Sequence, residues 1–216
     1  AGCCVSCCAP NSLGKKLYLD DGAQLNRRDV CTVFCCSILP YYAAGGRNPG
    51  GVEVPRWIWK LKALHTLGVV NIGRGKVILQ DIKGLTRLRK LGVTGVNKEN
   101  GQELCSAIVG LRHLESLSIR SEGEPGLSGC LDGMSSPPEN LQSLKLYGNL
   151  VKLPEWIQEL KNLVKLKLHN STISEHDAAI QVLGSLPNLA ILCLGKESFK
   201  GEQVHLHFQQ GAFQTL

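Results

Sequence analysis

One phrase recurs along the chain: Leu-x-x-Leu-x-Leu, with the last position open to valine or isoleucine. It falls at Leu64/Leu67/Val69, Leu88/Leu91/Val93, Leu114/Leu117/Ile119, Leu141/Leu144/Leu146, Leu163/Leu166/Leu168 and Leu189/Leu192/Leu194. Leu216 stands where a seventh would begin, and successive first leucines are 24, 26, 27, 22, 26 and 27 residues apart. Three residues ahead of each phrase is an apolar or turn residue: Leu61, Leu85, Leu111, Pro138, Leu160, Leu186 and Phe213. The segments beginning Val54-Pro-Arg-Trp-Ile and Leu153-Pro-Glu-Trp-Ile are near copies, 99 residues apart.

In Leu-x-Leu the side chains alternate, so the phrase predicts a short strand with its leucines inward and the intervening residues outward. One such strand cannot bury its apolar side alone; stacked copies build a parallel sheet over a continuous core. Periods of this length and phrase are those of leucine-rich repeats. The expected fold is α/β, a curved leucine-rich-repeat solenoid with strands on the concave face and irregular or helical connections behind. Two connections read as helices, because Asn100-Gly-Gln-Glu103 opens the apolar run from Leu104 and Ser174-Glu-His-Asp177 opens the run from Ala178. Each pairs a side-chain cap with an acid three residues on. The asparagine that usually follows the last core aliphatic by three residues is present only as Asn149. Ile72, Val96, Ser171 and Glu197 stand in other such slots, so the turns are expected to be satisfied differently. If the last full strand, at Leu192 and Leu194, has no cap, fraying or self-association from that side follows.

The first fifty residues stay outside the pattern. They carry seven of the ten cysteines and end in the linker-like Ala43-Ala-Gly-Gly-Arg-Asn-Pro-Gly-Gly51. The expected division is residues 1–51, cysteine-rich and poorly ordered, and 52–216, a repeat domain truncated at its C-terminal end. Cysteines this unevenly placed do not form a secreted disulfide framework, so the repeat region reads as cytoplasmic. The apolar run Val30–Leu39 is internal, about ten residues long and closed by Pro40, too short to span a membrane.

The segment Leu153–Leu216 resembles the leucine-rich-repeat domain of plant nucleotide-binding leucine-rich-repeat disease-resistance proteins of the coiled-coil class. Leu-Pro-Glu-Trp-Ile (153–157), Leu-Lys-Asn-Leu-Val-Lys-Leu (160–166), Leu-Pro-Asn-Leu-Ala (186–190) and Gly211-Ala-Phe carry the likeness, and Val54–Ser121 also fits. The resemblance implies a protein-interaction module acting in pathogen recognition or autoinhibition. Its implied partners are a pathogen effector or the receptor's own nucleotide-binding domain. No Gly-x-x-x-x-Gly-Lys-[Ser/Thr] loop occurs in these residues, so nucleotide binding is not carried over and no cofactor is expected.

Charge adds one feature. The chain has 24 Lys and Arg against 18 Asp and Glu, a net +6. The outward positions of the six triplets read Thr66/Gly68/Val70, Lys90/Gly92/Thr94, Ser116/Ser118/Arg120, Ser143/Lys145/Tyr147, Lys165/Lys167/His169 and Ile191/Cys193/Gly195. Five of these eighteen are Lys or Arg and none is acidic. The candidate partner-binding residues are therefore Lys90, Arg120, Lys145, Tyr147, Lys165, Lys167 and His169, facing an acidic surface. An ordinary solvated sheet face is the competing account. Nucleic acid ranks lower, since only Tyr147 offers stacking there. Other chemistry is weak. Cys4, Cys7, Cys31 and Cys35 could supply four thiolates to zinc, but the doubled cysteines blur the ligand assignment and no histidine lies nearby; His205 and His207 lack a third ligand. The sequon Asn170-Ser-Thr172 is expected to be unused. No nucleophile–base–acid set supports an enzyme. An adaptor or substrate-receptor subunit outside immunity would show the same surface with a different partner.

Overall fold

The computed structural model describes Gly51, Val54, residues 58–73 and 77–201, and Phe213. All belong to one unit, Pro49–Leu216. The expectations for residues 1–50, for His205 and His207, and for a seventh strand at Leu216 lie outside the described residues.

Each full triplet forms a strand. These are β1 (Thr66–Asn71), β2 (Lys90–Val96), β3 (Ser116–Ser121), β4 (Ser143–Tyr147), β5 (Lys165–His169) and β6 (Ile191–Leu194). They make one sheet in chain order, every neighbour parallel. Leu67, Leu91, Leu117, Leu144, Leu166 and Leu192 pair in register, the ladder that the phrase predicts. The first five are buried, whereas Leu192 is only half-buried. A second layer, Leu64, Leu88, Leu114, Leu141, Leu163 and Leu189, is buried behind the strands. This is the α/β leucine-rich-repeat solenoid, a stack in which each coil's core is completed by its neighbours.

The first coil departs from the expected alternation. The register shifts between Leu67 and Val69, so that Val69 pairs with Gly92 and Val70 with Val93. Val70 is therefore 1% exposed and inward, while Val69, expected in the core, is half-buried. One extra residue moves every later side chain to the opposite face, and Gly68 supplies the flexible backbone for it. On the outward face of β2, Thr94 is 2% exposed. The backbone of Gly51 lies against its hydroxyl, so closely that a Cβ there would stand 2.8 Å from Oγ1.

Behind the sheet run α1 (Val77–Lys83), α2 (Gly101–Val109), α3 (His176–Gly184) and two 3-10 segments, Ile58–Lys60 and Glu155–Glu159. Both near-copy repeats give a 3-10 turn at the same place. In the second, buried Trp156 donates its indole Nε1–H to Leu131 O at 2.9 Å, tying that turn to the coil before it. Helix α1 packs on α2, and α3 on Glu155–Glu159. None of these helices is long and apolar enough to cross a membrane.

The helices expected at Asn100 and Ser174 exist, but neither side chain caps its helix. Asn100 is buried, and its Nδ2 donates to Gly95 O at 2.8 Å and, across 28 residues, to Ile72 O at 3.4 Å. Its Oδ1 accepts from Asn97 N at 2.9 Å, and Asn97 Oδ1 in turn accepts from the amides of Glu99 and Asn100. Ser174 Oγ donates to Val151 O of the preceding coil. Ser198 repeats the bridging arrangement, with its hydroxyl near Gly195 O and Leu168 O. These contacts answer how turns without the usual asparagine are satisfied. A buried donor from elsewhere on the coil reaches two carbonyls, and main-chain bonds such as Ile72 N to Thr94 O and Glu122 N to Val96 O carry the rest.

Candidate interaction surface

The sheet register fixes where the outward residues meet. One row crosses Lys90, Ser116, Ser143, Lys165 and Ile191; the next crosses Gly92, Ser118, Lys145, Lys167 and Cys193; a third crosses Arg120, Tyr147 and His169. Strand neighbours lie about 4.8 Å apart, so paired side chains touch or nearly touch. The structure thus gathers Arg120, Lys145, Tyr147, Lys165, Lys167 and His169 on β3 to β5. Lys90 is not part of that cluster: Ser116 and Ser143 separate it from Lys165 along the first row.

Tyr147 organises the cluster. The Arg120 guanidinium lies 4.3 Å from its ring centroid and Lys167 Nζ lies 5.6 Å from it. His169 stands on the other side with ring centroids 5.9 Å apart and planes tilted by 40°. Two cations over one electron-rich ring are each attracted to it, which offsets part of their mutual repulsion. A Cβ at Gly195 would come within 2.6 Å of His169 Cδ2, so the absence of a side chain there leaves the imidazole its place. The sequence singles out Tyr147 for stacking but not its pairing with Arg120. The signal was available, since both occupy the third outward position of consecutive triplets.

Lys145 and Lys167 pair directly across β4 and β5. Like charges opposite one another destabilise a sheet by a few tenths of a kcal/mol or more. Among the described residues the ion pairs are Arg89–Glu115, Lys152–Glu155 and Lys196–Glu197, and no acid partners any of the cluster's cations. Arg120 is exposed, and Lys145, Tyr147, Lys165, Lys167 and His169 are half-buried. The result is an open patch of uncompensated positive charge around one aromatic ring. No group of three or more His, Cys, Asp or Glu among the described residues could hold a metal ion.

The family model described as a leucine-rich repeat region matches residues 47–216. The chain is 30% identical over 168 residues to the disease resistance protein RPM1 of Arabidopsis thaliana, covering 77% of this chain and 17% of that protein. Over 136 residues it is 32% identical to the disease resistance protein PIK6-NP and 31% identical to Pik-2, both of Oryza sativa subsp. japonica, covering 60% of this chain and 13% of each. It therefore spans less than a fifth of these relatives. Among solved structures it is similar to the leucine-rich repeat domain of the type III effector XopL, with 22% identity, a TM-score of 0.41, and coverage of 83% of this chain and 63% of that one. A match over residues 47–216, on a chain whose six strands follow the repeat in register, places this protein in the leucine-rich repeat region family.

Proposed function

We propose that this chain is the protein-interaction module of a plant intracellular immune receptor, acting in the cytoplasm without catalysis of its own. Its working surface is the Arg120–Tyr147–His169 row with Lys145, Lys165 and Lys167, which engages an acidic protein surface. The observation that carries the reading is the directly paired Lys145 and Lys167, left without an acidic ion-pair partner among the described residues. A fold that needed the sheet only for stability gains nothing from facing like charges. A one-signed patch steers an oppositely charged partner and fixes its orientation. The similarity to disease resistance proteins supplies the setting.

Of the two partners such a receptor offers, its own nucleotide-binding domain fits this patch better than an effector. The cluster is rich in Lys and holds a single large aromatic, whereas tight recognition sites favour several aromatic anchors. The test is charge reversal, Lys165→Glu with Lys167→Glu, in the full-length receptor. A response without pathogen supports the autoinhibitory contact. Loss of the pathogen-dependent response with a quiet resting state would instead assign the patch to recognition. A normal response from a well-expressed double variant removes the patch from function altogether.

A further inference from the structure

Away from the charged patch, the edge where the strands begin is built in two different ways. In its C-terminal half the residue just before the first leucine of each phrase is asparagine. Asn140, Asn162 and Asn188 donate from Nδ2 to Arg112 O, Glu139 O and Lys161 O at 2.9, 2.8 and 2.7 Å. Each acceptor lies two residues before the first leucine of the preceding coil, so the three amides stitch four successive coils together. In the N-terminal half the same slot holds Arg87 and His113. Neither side chain makes such a bond among the described residues, although the matching carbonyls, of Lys62 and Thr86, stand at the equivalent positions.

Those two released side chains face a depression of about 530 Å³, which they line together with His65, Arg89 and Glu115. Asn140 and Gln142 line it as well. Glu115 is committed to Arg89, accepting its Nε–H at 2.8 Å. Arg87 has no ion-pair partner among the described residues, and His65 and His113 line the same depression, each offering an N–H donor. The volume falls in the range of small-molecule sites, and every lining side chain carries a polar group.

We propose that this depression binds a small phosphate ester, with Arg87 as the bidentate anchor and His65 and His113 donating to the remaining oxygens. Guanidinium is the side chain best matched to a phosphate's paired oxygens. The structural asparagine has given way here to donors aimed at solvent, which is the arrangement an anion needs and a bare solenoid edge does not.

The test exploits that exchange. In the whole chain, Arg87→Asn and His113→Asn install the amide of the C-terminal half, within reach of Lys62 O and Thr86 O. Calorimetric titration with inositol hexakisphosphate, a small phosphate ester, is expected to give saturable binding to the parent chain. In the double variant binding should weaken at least tenfold while the melting temperature holds or rises. A phosphoserine peptide run in parallel separates sources: tighter binding of the peptide than of the small ester reassigns the site to a phosphorylated protein and overturns the proposal. A Lys165→Gln, Lys167→Gln variant should bind as the parent does. Equal weakening by that change, unchanged affinity in the asparagine variant, or no saturable binding to the parent would each overturn the proposal.

Discussion

The guanidinium of Arg120 lies 4.3 Å from the centre of the Tyr147 ring, one strand away in the same outward row. At an exposed position a cation over an aromatic face contributes about 0.5–1 kcal/mol. A double-mutant cycle of Arg120→Ala and Tyr147→Leu, read by chemical denaturation, should therefore return a coupling of about that size. Coupling indistinguishable from zero would show that the two side chains only share a neighbourhood, and that the patch has no organised centre.

The buried amide of Asn100 separates two accounts of one residue. As a helix cap, its oxygen is what matters, and aspartate serves about as well. As a bridge between coils, its Nδ2 donates to Gly95 O and Ile72 O, and aspartate supplies no donor. Asn100→Asp is expected to destabilise the fold by roughly 1–3 kcal/mol, because two carbonyls lose their partner and a charge is buried beside them. A stability within a few tenths of a kcal/mol of the parent would restore the capping account.

Position along the stack grades the leucine ladder. Leu166 is fully buried between Leu144 and Leu192, whereas Leu192 is half-buried on the last described strand. Leu166→Ala should cost about 2–5 kcal/mol through the cavity it opens, and Leu192→Ala clearly less. Equal losses at the two positions would mean that β6 is as well covered as β5.

The sequence carries this ladder openly because a core phrase at fixed spacing is a statement about pairing. What it does not carry are choices settled by a neighbouring coil. Leu67-Gly-Val-Val70 offers two aliphatics for one inward slot, and only the pairing with Gly92 and Val93 selects Val70. Asn100 has the local pattern of a cap, yet its acceptors include a carbonyl 28 residues earlier, invisible in a four-residue window. Helix α1, Val77-Ile-Leu-Gln-Asp-Ile-Lys83, escapes notice because it is short and no acid marks its first turn; its packing against α2 holds it. In the charged patch, membership follows from alternation alone for Arg120, Lys145, Tyr147, Lys165, Lys167 and His169. The isolation of Lys90 follows from the two serines beside it, which a list of outward residues does not weigh. The division of the strand-start edge between asparagines and cations was equally present as letters. It acquires meaning only when Nδ2 is seen to reach the preceding coil.

The cysteines of the solenoid should divide by reactivity. Cys105 and Cys130 are buried, at 0% and 2% exposure, while Cys193 is half-exposed in the row of Lys145 and Lys167. Burial, with Asp132 and Cys130 nearby, pushes the Cys105 thiol up to about 11, and burial raises Cys130 as well. The thiolate is the attacking species, so at pH 8 only about one Cys105 in a thousand is ionised, even before access is counted. Timed alkylation with iodoacetamide at pH 8, followed by peptide mass mapping, should label Cys193 within minutes. Cys105 and Cys130 should react only as fast as the fold opens, and should catch up with Cys193 in denaturant. Labelling of Cys105 in the native chain at the rate of Cys193 would show that the space between α2 and the segment around Cys130 is open to solvent, and would break the continuous core on which the solenoid depends.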